Sequence, residues 1–132
     1  MFTGFNHVTI VVQDKNAAEA FYIAKLGLEK VIIGDSLWAR VGNQYIHINE
    51  NSTFKNQKTF AHFAIEIDNL QRYLKQLVEK DVQVFDFDEN MNETDASQNF
   101  DTNFRCFFIR DPFGNLIELI DATNSFFSPR KS

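Results

Sequence analysis

Near its start the sequence alternates between two kinds of residue. Val8, Ile10 and Val12 share one side of an extended chain, while His7 and Thr9 share the other. A period of two with β-branched residues predicts a strand. We expect the valine and isoleucine side to pack into a core, and the histidine side to face a more polar space.

A helix is predicted after this strand. Asp14 is a typical N-cap, apolar residues recur at helical spacing over residues 16–26, and Gly27 stands where a C-cap glycine is common. Three more strands are then predicted, at residues 28–33, 36–41 and 44–49.

The same order then occurs a second time. Residues 60–67 share the pattern Phe-x-His-x-x-Ile-x-(Val/Ile) with residues 5–12. Such an internal repeat fixes the architecture before any other interpretation. The second copy is predicted to contain a strand at 59–68, a helix from Leu70 to about Lys80, and strands at 82–87, 104–109 and 116–121. Residues 88–103 are acidic and show no period, which predicts a lid or a disordered loop.

These patterns predict an α+β protein. We expect two tandem βαβββ modules, at about 2–50 and 59–122, that form a curved mixed sheet around a metal-binding cleft. A chain of 132 residues has the size of a single domain, 1–132. Residues 51–58 are predicted as a polar linker and residues 123–132 as a loose tail.

Composition narrows the class of partner. The formal net charge of −5 argues against nucleic acid and anionic membranes, which require a basic face. No apolar run approaches the ~20 residues of a membrane span, and the first residues lack the pattern of a signal peptide. The single cysteine, Cys106, excludes an internal disulfide. A cytoplasmic location is therefore expected.

The polar sides of the predicted strands carry candidate metal ligands. Imidazoles combined with a carboxylate bind divalent metals. A histidine on its own is more often a partly buried side chain than a ligand. Here His7 and His62 occupy the same position in both copies, and Glu118 is an ionisable residue among apolar ones, which is costly unless it is paired. These residues predict a metal site, with His47 as a candidate fourth ligand.

Much of the chain resembles the vicinal-oxygen-chelate superfamily, which includes glyoxalase I, extradiol dioxygenases, bleomycin-resistance proteins and fosfomycin-resistance enzymes. The resemblance rests on the repeat and on residues 111–119, Asp-Pro-Phe-Gly-Asn-Leu-Ile-Glu-Leu. It implies metal ligands on the first, fifth and eighth strands, which are His7, His62 and Glu118. It further implies that a divalent Zn, Ni, Mn, Co or Fe ion acts as a Lewis acid on neighbouring substrate oxygens.

The first nine residues resemble those of fosfomycin thiol transferases. This implies that Thr9 hydrogen-bonds a reacting oxyanion and that a thiol is a co-substrate. The chain departs from that pattern, because Cys106 and Phe108 replace hydroxyl residues and Phe60 replaces a tyrosine. Arg105, Arg110 and Arg130 are the nearby candidates for binding an anion.

Further candidates follow from strand parity. Glu66 is a candidate general base, although a solvated strand-end charge explains it equally well. Cys106 is either a reactive thiol or a packing residue. The candidate walls of a substrate pocket are Tyr45, Phe60, Cys106 and Phe108.

Two functions remain open at this point. The first is a metal-dependent lyase, isomerase or thiol transferase that acts on a small oxygenated or electrophilic molecule. The alternative is a metal-free protein that sequesters a drug or metabolite, as bleomycin-resistance proteins do. The intact set of His7, His62 and Glu118 favours the first. A homodimer is expected by analogy alone.

Overall fold

The computed structural model describes residues 1–55, 58–101, 106–123 and 127. In chain order its elements are β1 (His7–Val12), α1 (Lys15–Glu19), a π-helical segment (Ala20–Lys25), β2 (Glu29–Ile33), β3 (Ser36–Val41), β4 (Gln44–Glu50), β5 (His62–Ile67), α2 (Leu70–Glu79), β6 (Phe85–Phe87), β7 (Glu93–Asp95), β8 (Phe107–Arg110) and β9 (Leu116–Asp121). The predicted α+β class with two βαβββ modules is confirmed. Each module forms a sheet of its own.

The chain divides into two compact units. Unit 1 contains Met1–Thr59 together with Asp111–Asn115, and unit 2 contains Phe60–Arg110 and Leu116–Ser132. The turn between β8 and β9 therefore belongs to the first unit, although both flanking strands belong to the second.

Unit 1 has a four-stranded sheet in the order β1-β4-β3-β2, in which β1 and β4 are parallel. The predicted parity of β1 is confirmed, because Ile10 and Val12 are buried while His7 and Thr9 are exposed. On the neighbouring strands Leu37, Ala39, Ile46 and Ile48 are also buried. One face of this sheet therefore forms the core, and the other carries the polar and aromatic side chains.

The first helix begins as predicted and then changes form. The Asp14 side chain accepts hydrogen bonds from the backbone N–H groups of Asn16 and Ala17, which confirms the N-cap. The predicted single helix over 16–26 is wrong in its second half, which is a π-helix. There the Leu26 N–H donates to the Phe21 carbonyl, a wider turn than that of an α-helix.

A buried network explains the turn between β8 and β9. The Asp111 carboxylate accepts hydrogen bonds from the Tyr22 hydroxyl at 2.7 Å and from the backbone N–H groups of Phe113 and Asn115. The Asn115 side chain donates to Asp111 and to the Val11 carbonyl. Asp111 is only 4% exposed, and these donors supply the hydrogen bonds without which a buried carboxylate is costly. The Asp and Asn of the turn are thus structural residues of unit 1.

Unit 2 repeats the sheet order of unit 1 as β5-β9-β8-β6, with β5 and β9 parallel. It then adds β7, which pairs with β6. The prediction that 88–103 has no regular structure is therefore wrong at β7, whose three residues are too few for a period to be visible. Residues 102–103 lie outside the described part of the chain.

The second helix, α2, covers the apolar face of this sheet with three fully buried leucines, Leu70, Leu74 and Leu77. Asn69 caps it by accepting from the Arg72 N–H, and the Asp121 carboxylate accepts from the Leu70 N–H. The opposite face of the sheet carries the residues considered below.

Two predicted segments lie partly outside the described residues. The strand predicted to begin at residue 104 is described only from Phe107, and most of the predicted tail lies outside the described residues. Among the described helices, none has the length and apolar character that crossing a bilayer requires.

Candidate functional site

His62 and Glu118 meet on one face of the unit 2 sheet. In the parallel pair β5–β9, Ala64 lies opposite Glu118 and His62 lies opposite Leu116. Alternation points His62, Ala64 and their partners to the same face. The two side chains approach until His62 Nε2 is 3.0 Å from Glu118 Oε2. The His62 side chain is 21% exposed and the Glu118 side chain is 14% exposed.

The other nitrogen of His62 is held by the backbone. His62 Nδ1 lies 2.6 Å from the Phe60 carbonyl oxygen, which can only accept, so Nδ1 carries a proton and donates. In a neutral imidazole Nε2 then presents a lone pair toward a carboxylate oxygen. Two acceptors 3.0 Å apart require a proton or a cation between them. The pair therefore accommodates a proton or a cation, and an imidazole nitrogen beside a carboxylate oxygen is a donor set that divalent metals use.

Phenylalanine rings lie next to His62. Phe60 and Phe108 stand edge-on to the His62 ring, with centroids 4.9 Å and 5.5 Å away. Phe87 contacts both phenylalanines at 5.1 Å and 4.9 Å. Phe108 is buried, whereas 49% of Phe60 is exposed. We call Phe60, Phe87 and Phe108 the phenylalanine patch.

Cys106 lies beside the same carboxylate. It packs against the cluster of Phe85, Phe108 and Leu116. Burial, together with a hydrogen bond to Glu118 and the negative charge of that carboxylate, raises the pKa of the Cys106 thiol to about 12. A thiol with that pKa holds its proton at neutral pH and is a poor nucleophile. Packing, the second of the two interpretations, therefore describes Cys106 better than a reactive thiol.

Unit 1 gathers a second group of rings. His7 and His47 have ring centroids 6.4 Å apart, and the Trp38 ring stacks on His47 at 4.3 Å. His7 Nδ1 donates to the Asn6 side-chain oxygen at 2.7 Å, so its Nε2 keeps a lone pair for a ligand. Tyr45 lies opposite His7 in the register of β1 and β4.

Trp38 is a residue of this face that the sequence analysis missed. Its ring contacts both His7 and His47, and its buried indole nitrogen has no acceptor within the described part of the chain. Strand period offered a signal, because Trp38 lies opposite His47 in the β3–β4 pairing. Phe87 was missed in the same way.

The remaining candidates take these positions. Thr9 lies opposite His47 on the exposed side of β1. Glu66 shares the face of His62 by alternation, but it comes four positions later, which is about 13 Å along the strand. Arg110 is ion-paired to Glu93 at 3.2 Å and lies over the Phe85 ring. Arg105 and Arg130 are outside the described residues.

The predicted ligands are thus found as two pairs, His62 with Glu118 and His7 with His47. Within the described residues, no group of three or more His, Cys, Asp or Glu side chains is gathered to hold a metal ion. The complete ligand set remains a prediction.

Solved structures resemble this chain along most of its length. A glyoxalase family protein from Bacillus anthracis matches with 25% identity and a TM-score of 0.69, covering 90% of this chain and 94% of that one. The fosfomycin resistance protein FosX from Listeria monocytogenes matches with 18% identity and a TM-score of 0.71, covering 96% and 95%. The same FosX complexed with Mn(II) and sulfate gives 18% and 0.70, covering 96% and 94%.

Among curated proteins, no sequence matches this chain. The family model of the Glyoxalase/Bleomycin resistance protein/Dioxygenase superfamily matches residues 4–119. That match spans both copies of the repeat and the turn between β8 and β9. The chain therefore belongs to the Glyoxalase/Bleomycin resistance protein/Dioxygenase superfamily.

Proposed function

We propose that this protein is a metal-dependent enzyme acting on a small oxygenated or electrophilic molecule, of the lyase, isomerase or thiol transferase type. The observation that carries the proposal is the approach of His62 Nε2 to Glu118 Oε2 at 3.0 Å, with His62 Nδ1 tied to the Phe60 carbonyl. A backbone carbonyl that fixes the outer nitrogen of a histidine is the usual support of a metal-binding imidazole.

His62 and Glu118 would supply two ligands of the metal. One imidazole and one carboxylate suit Mn, Fe, Co, Ni and Zn alike, and the carboxylate favours the harder ions. His7, whose Nε2 keeps its lone pair, is the third ligand that membership of the superfamily suggests. His47 is the weaker candidate, since its ring is stacked on Trp38. The FosX complex with Mn(II) supports use of a divalent ion.

When bound, a divalent ion would act there as a Lewis acid that polarises substrate oxygens and stabilises developing negative charge. The Phe60 carbonyl holds the His62 ring in one orientation, so the ligand atom needs no reorganisation. Phe108 of the phenylalanine patch lies opposite Glu118 in the pairing of β8 with β9, so the patch borders this carboxylate. Thr9 offers a hydroxyl donor for an oxyanion, as proposed by analogy. Glu66 lies too far along β5 to take a proton from a small substrate bound next to His62. A role as general base therefore requires a larger substrate.

The test is metal uptake. Protein purified without chelator and then loaded with Mn(II) should hold near-stoichiometric metal by elemental analysis. His62→Ala and Glu118→Gln should each weaken affinity by roughly a hundredfold, because a ligand is lost. His7→Ala should do the same, while His47→Ala decides whether a fourth ligand exists.

Glu79→Gln is the matched control, because Glu79 is an exposed carboxylate at the end of α2 and should leave affinity unchanged. Circular dichroism of each variant checks that the fold is kept. A wild-type protein that takes up no Mn(II), Zn(II) or Ni(II) would contradict the proposal and favour the alternative, a metal-free binding protein of the bleomycin-resistance type.

A further inference from the structure

We propose that the phenylalanine patch binds an apolar body of the substrate, aryl or branched alkyl, while two neighbouring oxygens of that substrate would bind the divalent ion that His62 and Glu118 hold. The inference rests on the proposed function and names its substrate class. It follows from the side chains that stand next to the two ligand atoms.

The patch is continuous with the ligand pair. Phe60 lies 4.9 Å from the His62 ring, and Phe108 lies 5.5 Å from it. Phe87 is the third ring, and its centroid lies 5.1 Å from that of Phe60. A molecule whose oxygens bind an ion held by His62 would therefore meet phenyl rings with the rest of its body.

The rings are not simply core. Phe85 and Phe108 are buried, at 3% and 6% exposure, and form a base. Phe60 rests on that base with 49% of its surface exposed, and Phe87 is half-buried. A large apolar side chain held in water beside candidate metal ligands gains free energy when an apolar ligand covers it.

The charges nearby do not suit a small anion. Arg110, the cationic residue on this face of β8, is ion-paired to Glu93 and lies over Phe85. Cys106 packs against the apolar cluster of Phe85, Phe108 and Leu116. A compact phosphonate or sulfate needs several hydrogen-bond donors, whereas this face presents rings. The residues that the structure describes on this face therefore favour a substrate body that is uncharged and apolar.

Hydroxamic acids test this inference, because they share one chelating head and differ in the body. Isothermal titration of the Mn(II)-loaded protein should show benzohydroxamic acid binding about tenfold tighter than acetohydroxamic acid, since a phenyl group is buried. Phe60→Ala should bring the ratio of the two affinities close to one. Phe54→Ala, which truncates a 38% exposed phenylalanine elsewhere in the chain, is the matched control and should change neither.

Equal affinities for the two acids, with metal bound, would overturn the inference and leave the proposed function intact. If the protein takes up no metal, the proposed function fails. Binding of the neutral probe N-phenylnaphthylamine then still tests whether the patch binds apolar molecules. Binding of that probe lost in Phe60→Ala but kept in Phe54→Ala supports an apolar site. A Phe60→Ala variant that converts a dimer to a monomer by sedimentation would instead make the patch a subunit interface and refute the inference.

Discussion

Phe60 contributes to the candidate site through both its backbone and its ring. Its carbonyl oxygen accepts from His62 Nδ1, and its ring stands 4.9 Å from the imidazole. Phe60→Ala keeps the backbone carbonyl and removes the ring. Variants of Phe60 therefore separate binding of the substrate body from binding of the metal.

Cys106 gives a prediction at the same scale. Because burial and Glu118 raise its pKa to about 12 against an ordinary value near 9, the native thiol is almost wholly protonated at pH 8. We expect a thiol-specific disulfide reagent to react about a hundredfold or more slowly with native protein than with the urea-denatured chain.

The control for this prediction is Glu118→Gln, which removes the negative charge and keeps most of the burial. Reaction of the native variant should be several-fold faster than that of the wild type. A native wild-type thiol that reacts as fast as the denatured one would contradict the raised pKa.

At the scale of elements, α2 ends in a strained but well-bonded turn. The Val82 N–H donates to the Leu77 carbonyl and the Asp81 N–H to the Val78 carbonyl, the pair of bonds that defines a Schellman motif. Asp81 holds a left-handed conformation at φ 61°, which favours glycine. Its carboxylate also stands at the negative end of the helix dipole.

Asp81→Gly should therefore raise the free energy of unfolding by about 0.5–1 kcal/mol, measured by urea denaturation. Asp81→Asn is the matched control, because it removes the charge and tolerates the same φ. Asp81→Asn should show only the part of this gain in the free energy of unfolding that comes from removing the charge. A decrease in stability for Asp81→Gly would show that the side chain makes a stabilising contact.

For the whole molecule, two tyrosines link stability to alkaline pH. Burial, followed by the negative charge of Asp111, raises the pKa of Tyr22 well above its ordinary value, and burial raises the pKa of Tyr73 to about 12. Both groups keep their proton in the folded state at a pH where the unfolded chain has lost it. Their contribution is complete below pH 10 and is lost as the pH rises toward 12.

We therefore expect the free energy of unfolding to fall between pH 10 and pH 12, as followed by urea titrations at several pH values. Tyr73→Phe should make this fall shallower. Near pH 8, the plot of the free energy of unfolding against pH should have nearly the same slope in the variant and the wild type. An unchanged slope in the variant would show that Tyr73 ionises equally in both states.

Much of the fold was predictable because its signals are local. Period two in β1 and β9, the helical spacing of Leu70, Leu74 and Leu77, and the Asp14 cap each depend on near neighbours. The repeat then fixed the order of the modules. The three-residue β7 and the π-helical segment were not predictable, because pairing and widening of this kind depend on contacts with distant residues.

The sequence by itself determined the two modules, the superfamily and the faces on which His7, His62 and Glu118 lie, since strand parity follows from alternation alone. Only the tertiary structure decided that His62 and Glu118, separated by 56 positions, meet at 3.0 Å. It alone placed Trp38 beside His7 and His47 in unit 1, placed Phe87 beside Phe60 and Phe108 in unit 2, and gave Cys106 a raised pKa. Contact distances and burial depend on strand register and packing, which no single stretch of sequence contains.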